Sequence, residues 1–145
     1  MGIASLVHPR VWFAILNAIC NGWTINFRFQ RRRPCLFACG FGEDSLHHYA
    51  HCTVIADYAQ RRLNLERPAA GNRLDCFLAL SPCFCVSVAS EVARRALCLF
   101  AVHSATNAAR HGSIAGTAEA LEQFAKEACA SHAPLRRIVA SEWTS

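Results

Sequence analysis

Three cysteines and one histidine lie within eighteen residues of the chain, at a spacing typical of metal ligands. The pattern is Cys-x3-Cys-x8-His-x3-Cys, and its members are Cys35, Cys39, His48 and Cys52. Thiolates and imidazoles are the ligands with which Zn²⁺ forms closed tetrahedral structural sites. Because the segment around them contains few large apolar residues, burial alone would stabilise it poorly. The pattern therefore predicts a bound Zn²⁺ ion that fixes this segment.

Two glycines predict how the first two ligands are positioned. Cys35 and Cys39 flank three residues and are followed by Gly40 and Gly42. Glycine allows the chain to turn sharply, because it adopts backbone conformations that other residues avoid. We therefore expect a knuckle that directs both sulfurs towards one ion.

A predicted helix positions the other two ligands. Asp44 and Ser45 can each cap the start of a helix, and residues 46–52 contain neither Gly nor Pro. In such a helix His48 and Cys52, four residues apart, share one face. We therefore expect both side chains to reach the same ion.

A second histidine pair is the weaker ligand candidate. His47 and His51 are also four residues apart, but they lie about 100° around the helix from the first pair. The chain contains nine cysteines in 145 residues, so the alternative is that the cluster arose by chance.

The cysteine–histidine segment resembles one that lies downstream of the polymerase domain in non-LTR (LINE-type) retrotransposon reverse transcriptases. In that family a close cysteine pair precedes an acidic residue with Ser or Thr, and then a His and a Cys one helical turn apart. The matching residues here are Pro34 to Gly40, Glu43 to Tyr49, and Cys52. The resemblance implies that Cys35, Cys39, His48 and Cys52 are the four ligands of a CCHC zinc-knuckle-like module.

The same resemblance implies a role in holding template RNA or target DNA. It does not extend to polymerase activity, because the chain contains no Tyr/Phe-x-Asp-Asp motif. Its aspartates are Asp44, Asp57 and Asp75, and none is next to another. No other catalytic family motif is evident, so we expect a nonenzymatic protein.

Arginines flank the cysteine–histidine segment and predict contact with nucleic-acid phosphates. They are Arg28, Arg31, Arg32 and Arg33 before the first cysteine, and Arg61 and Arg62 after the last ligand. Guanidinium groups bind phosphate well. Aromatic residues lie among them and can stack on unpaired bases, at about 1 to 3 kcal/mol each: Phe27, Phe29, Phe37, Phe41 and Tyr49. The alternative is that the arginines form a solvated surface and the aromatic residues a small core.

Composition excludes a mainly disordered chain and places the positive charge in the first half. The chain is 53% hydrophobic and has a net charge of +5. Eight arginines and four acidic residues precede Pro68. The cysteine count is odd, so we expect a reducing, intracellular location in the nucleus or cytoplasm. The predicted buried free thiols are Cys20, Cys76, Cys83, Cys98 and Cys129.

Apolar periodicity predicts a mainly α fold, with a small zinc-knuckle-like hairpin and helix followed by a helical bundle. Helices are expected at residues 9–20, 53–65, 74–80, 83–110, from 117 onwards, and 134–139. The break at 67–72 predicts a boundary between a basic helical region, 1–67, containing the zinc module at 35–52, and a helical support or interaction region, 73–145. No segment is expected to span a membrane.

Three functions are compatible with these features. The first is a nonenzymatic fragment that binds zinc and RNA or DNA. The second is a structural zinc module that contacts another protein through its helices. The third is a decayed retroelement fragment without selected activity.

Overall fold

The computed structural model describes residues 6–20, 32–80, 88–112 and 115–140, and in these ranges the fold is mainly α, as predicted. The described residues contain no β-strand, and a single antiparallel bridge joins Pro34 to Glu43. The helices are α1 (Pro9–Ile19), α2 (Leu46–Tyr49), α3 (Thr53–Leu63), α4 (Arg73–Phe77), α5 (Val88–Arg110), α6 (Ala118–Ala130) and α7 (Ala133–Val139).

Local signals in the sequence explain most helix boundaries. Pro9 occupies the first turn of α1, where its missing N–H costs nothing. Thr117 caps α6, because its hydroxyl accepts a hydrogen bond from the Ala120 N–H at 3.3 Å. Helix α3 ends at Leu63 and is followed by Asn64, which adopts the left-handed conformation with φ +48°. These helices agree with the sequence prediction to within two residues.

The predicted helix over residues 46–52 is wrong in its second half. Helix α2 ends at Tyr49, and the His51 N–H bonds to the His48 carbonyl in a tight final turn. Cys52 is then extended, with φ −61° and ψ 127°, and precedes the first residue of α3. His48 and Cys52 therefore belong to successive elements rather than to one helical face.

Helix α5 is the central element of the fold. It packs most extensively against α6 and α1, and also contacts α3, α4 and α7. One continuous core includes Val11 of α1, Tyr49 of α2 and Leu97 of α5, so residues before and after the 67–72 break share it. None of the described helices has both the length and the apolar character needed to cross a bilayer.

Arginines of α5 hold the turn that follows α3. Arg94 donates a hydrogen bond to the Leu63 carbonyl, and Arg95 donates one to the Glu66 carbonyl at 3.4 Å. Arg95 also forms a buried ion pair with Glu91, at 2.7 Å. These contacts satisfy carbonyls near the C-terminus of α3 and attach this turn to α5.

Three of the predicted buried thiols are buried. Cys76, Cys98 and Cys129 lie in the interior, and burial raises the pKa of both Cys98 and Cys129 to about 12. Such thiols are poor nucleophiles at neutral pH. The prediction is wrong for Cys20, which follows the last residue of α1 and is exposed. Cys83 lies outside the described residues.

Two histidines cap helices and face each other. The His8 Nδ1 accepts the Arg10 N–H at 3.1 Å, and the His132 Nδ1 accepts the Leu135 N–H at 3.3 Å. The two rings meet edge to face, with 6.0 Å between their centroids. Burial, and then the neighbouring His132 and Arg10, lower the pKa of His8 below 6.5. Protonation of the His8 Nδ1 removes the acceptor that caps α1. It also places a positive charge beside His132 and Arg10.

The lowered pKa of His8 predicts that the protein loses stability in mild acid. The unfolded chain takes up this proton more readily than the folded one, so the free energy of unfolding decreases as the pH falls through 6.5. The measurement is the thermal midpoint between about pH 8 and 5. His8→Asn, which keeps a capping oxygen but does not titrate, should show a smaller decrease. Identical pH profiles, with metal content measured at each pH, would contradict this assignment.

Candidate metal centre

A short hairpin carries the first two candidate ligands. The Cys35 N–H donates to the Gly42 carbonyl at 3.2 Å, and the Asp44 N–H donates to the Arg33 carbonyl at 2.9 Å. Gly40 and Gly42 both have φ +79°, which confirms that the turn requires glycines. The hairpin thus places residue 35 on one side and leads the chain to α2 on the other.

One feature of this turn was not predicted. Ala38 also has a positive φ, +49°, although it is not glycine. Its N–H donates to the Cys35 carbonyl at 3.1 Å and closes the turn between the two cysteines. A non-glycine residue in this conformation costs roughly 1 to 2 kcal/mol. The surrounding contacts must therefore offset that cost.

The starts of two helices, α2 and α3, place the other pair of candidate ligands. Ser45, rather than Asp44, caps α2, because its hydroxyl accepts the His48 N–H at 3.1 Å. Cys52 lies in the extended residue immediately before α3. The short helix and the break after it therefore bring both side chains back towards the hairpin.

The structure brings all four predicted ligands together. The ligand atoms of Cys35, Cys39, His48 and Cys52 lie within 4.8 Å of one another. The Cys35 and Cys52 sulfurs are 3.8 Å apart, and the Cys39 sulfur is 3.3 Å from the His48 Nε2. This group could hold a metal ion.

Two of the separations match those of a small tetrahedral ion, and the separation of the Cys35 and Cys52 sulfurs excludes a disulfide between them. Ligand distances of about 2.3 Å for sulfur and 2.0 to 2.1 Å for nitrogen give S–S separations near 3.8 Å and S–N separations near 3.5 Å. The observed 3.8 Å and 3.3 Å are close to these values. A disulfide requires about 2.05 Å between sulfurs, so Cys35 and Cys52 are separate thiols.

Two of the sulfurs influence each other's protonation. The hydrogen bond with Cys52, followed by burial, raises the pKa of Cys35. The same hydrogen bond lowers the pKa of Cys52. The metal-free pair therefore tends to keep one proton between its two sulfurs. Because a metal binds thiolates, binding must release protons from the site, and its affinity must increase with pH.

Gly42 leaves room for the histidine ring. A Cβ atom at this position would lie 2.2 Å from the His48 Nδ1 and 2.6 Å from its Cε1, closer than real contacts allow. The same construction at Gly40 meets nothing within 4 Å. Two separate features therefore require glycine at position 42: the positive φ of its backbone and the closeness of the His48 ring.

A buried ion pair joins the hairpin to the central helix. Asp44 is only 1% exposed, and its carboxylate accepts hydrogen bonds from the Tyr49 hydroxyl and from the Arg110 guanidinium. Arg110 is in the last turn of α5, 66 residues away in sequence. The contact fixes the end of the hairpin against the helical bundle. Sequence reasoning placed Asp44 only as a possible helix cap.

A second close contact lies between the hairpin and the segment before α6. A Cβ atom on Gly116 would lie 2.2 Å from the Leu36 carbonyl oxygen. Leu36 lies between the first two candidate ligands, so residue 116 must be small for the segment to approach the hairpin. The hairpin is thus held against the bundle at two places.

The second histidine pair does not join the candidate ligands. The rings of His47 and His51 stack on each other, with centroids 4.8 Å apart, and neither belongs to the group of four. The His51 Nδ1 lies 2.9 Å from the His47 carbonyl. The prediction that these are the weaker candidates agrees with this arrangement.

The predicted phosphate-binding arginines lie in different surroundings. Arg32 and Arg33 are exposed at the base of the hairpin. Arg62 pairs with Glu122 at 3.3 Å. Arg28 and Arg31 lie outside the described residues. Among the predicted arginines that the structure describes, Arg32 and Arg33 are therefore the exposed pair closest in sequence to the first candidate ligand.

A groove between α3 and the start of α6 contains the other two arginines. Its volume is about 520 Å³, and its charged lining residues are Arg61, Arg62, Asp57, Glu119 and Glu122. Three acidic groups in the lining counter the positive charge of two arginines. This groove is consequently a poorer site for phosphate than the base of the hairpin.

Comparison with family models, curated proteins and solved structures gives no match to the chain.

The two hairpin glycines provide a matched test of the metal centre. Gly42→Ala should weaken metal binding by about 10- to 100-fold, the usual effect of disturbing a group that orients a ligand. Gly40→Ala has the same φ but no clash, so it should share only the backbone cost. Competition with a chromophoric chelator measures both affinities. Equal affinities in the two variants would contradict the placement of His48.

The buried ion pair predicts a large stability difference between two arginine substitutions. Arg110→Ala leaves the Asp44 carboxylate buried without its cation, so the free energy of unfolding should decrease by roughly 3 to 5 kcal/mol. Arg62→Ala removes a more exposed pair with Glu122 and should cost about 0 to 1 kcal/mol. Urea unfolding of the metal-loaded proteins measures both. A similar small loss in each would show that the Arg110 pair contributes little.

Proposed function

We propose that the protein is a nonenzymatic, zinc-stabilised nucleic-acid-binding segment, related to the region downstream of a non-LTR retrotransposon reverse transcriptase. The observation that carries the proposal is the convergence of Cys35, Cys39, His48 and Cys52 within 4.8 Å. The same residues carry the resemblance to the retrotransposon segment. Both arguments therefore rest on one site.

The donor set supports zinc in a structural role. Three sulfurs and one imidazole nitrogen are a set that Zn²⁺ favours, and four protein ligands leave no open position for a substrate. Cys35 and Cys52 are buried, and Cys39 and His48 are half-buried. The ion would hold the hairpin against α2 and α3 rather than perform chemistry.

The electrostatics of the hairpin support phosphate binding. Arg32 and Arg33 are exposed immediately before the first ligand. The Asp44 carboxylate is neutralised by Arg110 and shielded from solvent, which leaves Glu43 as the exposed acid of the hairpin. Exposed guanidinium groups on a metal-fixed loop can contact phosphates without first becoming ordered.

A structural zinc module that contacts another protein is the second candidate. Helix α1 favours it, because four of its large apolar side chains remain exposed: Trp12, Phe13, Leu16 and Ile19. A contiguous apolar surface of this kind is typical of protein contacts. This candidate predicts zinc binding without affinity for nucleic acid.

Two arginine pairs provide a charge-matched test of nucleic-acid binding. The Arg32→Ala, Arg33→Ala double variant should bind single-stranded RNA or DNA more weakly and reduce the slope of log K against log salt by up to about 1.4, at 0.7 per phosphate contact. The control is Arg136→Ala, Arg137→Ala, an exposed pair on α7. Fluorescence anisotropy across a salt series measures both.

Each outcome of the arginine test distinguishes between the candidates. Weakening confined to the hairpin pair supports the proposal. Equal weakening by both pairs would indicate a general charge effect rather than a site at the hairpin. No binding by the unmodified, metal-loaded protein would favour the protein-contact candidate.

A further inference from the structure

Phe41 is more exposed than any other large apolar side chain of the described residues. It is 78% exposed, on the arm of the hairpin that leads back to Glu43. Phe37, four residues earlier, is only 4% exposed and packs edge to face against Tyr49, with ring centroids 5.7 Å apart. One phenylalanine of the hairpin therefore contributes to the core, whereas the other presents its ring to solvent.

The backbone on both sides of Phe41 is fixed. Gly40 and Gly42 have the same positive φ, the Gly42 carbonyl accepts the Cys35 N–H, and the His48 ring lies against Gly42. A bound metal ion would lock this loop from both ends, because residues 39 and 48 are candidate ligands. The backbone that carries the ring is thus held in place, which lowers the entropy lost when something binds to the ring.

The arm of the hairpin opposite Phe41 carries two exposed arginines, Arg32 and Arg33. The Arg33 carbonyl pairs with the Asp44 N–H across the hairpin. Asp44 is three residues from Phe41, which is at most about 10 Å along the chain. The exposed residues Arg32 and Arg33 can therefore contact backbone phosphates while the ring contacts a base.

We propose that Phe41 stacks on an unpaired base of single-stranded nucleic acid, with Arg32 and Arg33 on the adjacent phosphates. This inference rests on the proposed nucleic-acid-binding function and specifies its substrate class. Every base has a flat aromatic face, so stacking tolerates many sequences. In a duplex both faces of an internal base are covered, so the ring has no partner until a base leaves the stack.

The surroundings of Phe41 argue for a base rather than a protein partner. Its neighbours in sequence are Gly40, Gly42 and Glu43, all exposed and none with an apolar side chain. A protein contact usually requires a contiguous apolar patch, whereas stacking requires only one accessible ring. The apolar surface suited to a protein lies instead on α1.

The test compares two exposed phenylalanines in the full-length, metal-loaded protein. Phe41→Ala should weaken binding of labelled single-stranded RNA or DNA by roughly 5- to 150-fold, the effect of losing one stacked base. Phe41→Trp should restore it. Phe13→Ala, which removes a 64% exposed ring from α1, should leave binding unchanged. Metal content verifies that each variant retains its site.

Duplexes of the same sequences complete the experiment. Tighter binding to single strands than to duplexes supports the inference, and separate RNA and DNA strands identify which polymer supplies the base. If the unmodified protein binds single strands but Phe41→Ala binds equally well, the stacking inference fails and the proposed function stands. If the unmodified protein binds no nucleic acid, both fail.

Discussion

The conformation of the hairpin depends on the four side chains that converge beside it, those of Cys35, Cys39, His48 and Cys52. Between residues 35 and 52 the large apolar side chains in the core are Phe37 and Tyr49. The burial of two rings contributes little against the free-energy cost of ordering this segment. The segment contains three residues with positive φ, including Ala38. Coordination of one ion by these three sulfurs and one nitrogen would supply the missing stability, because the unfolded chain cannot offer a preformed site.

Contacts with the bundle extend this dependence to the rest of the fold. Asp44 and Arg110 connect the hairpin to the end of α5, and Gly116 lets the segment before α6 approach the Leu36 carbonyl. The ion pair lies in the interior, where its geometry and its hydrogen bond to Tyr49 offset the cost of desolvation. Loss of the ion would therefore disturb packing around α5 as well as the hairpin.

The sequence predicted the features that depend on neighbouring residues. The ligands and most helix boundaries follow from short-range spacing, caps and apolar periodicity. The single helix over 46–52 was wrong because nothing local shows that α2 ends at Tyr49 and that Cys52 becomes extended. The Asp44–Arg110 pair joins residues 66 positions apart and has no local signal. The pairing of Arg62 with Glu122 could not be predicted either, because these two residues are also far apart in the sequence.

The most direct test of the metal centre is to count and identify the metal in the purified, tag-free protein. Native mass spectrometry gives the stoichiometry, and X-ray absorption gives the ligands. We expect one zinc ion per chain, with three sulfurs at about 2.3 Å and one nitrogen at about 2.0 to 2.1 Å. The Cys39→Ser, His48→Ala double variant should lose the ion. A folded protein that contains no stoichiometric metal would contradict the account.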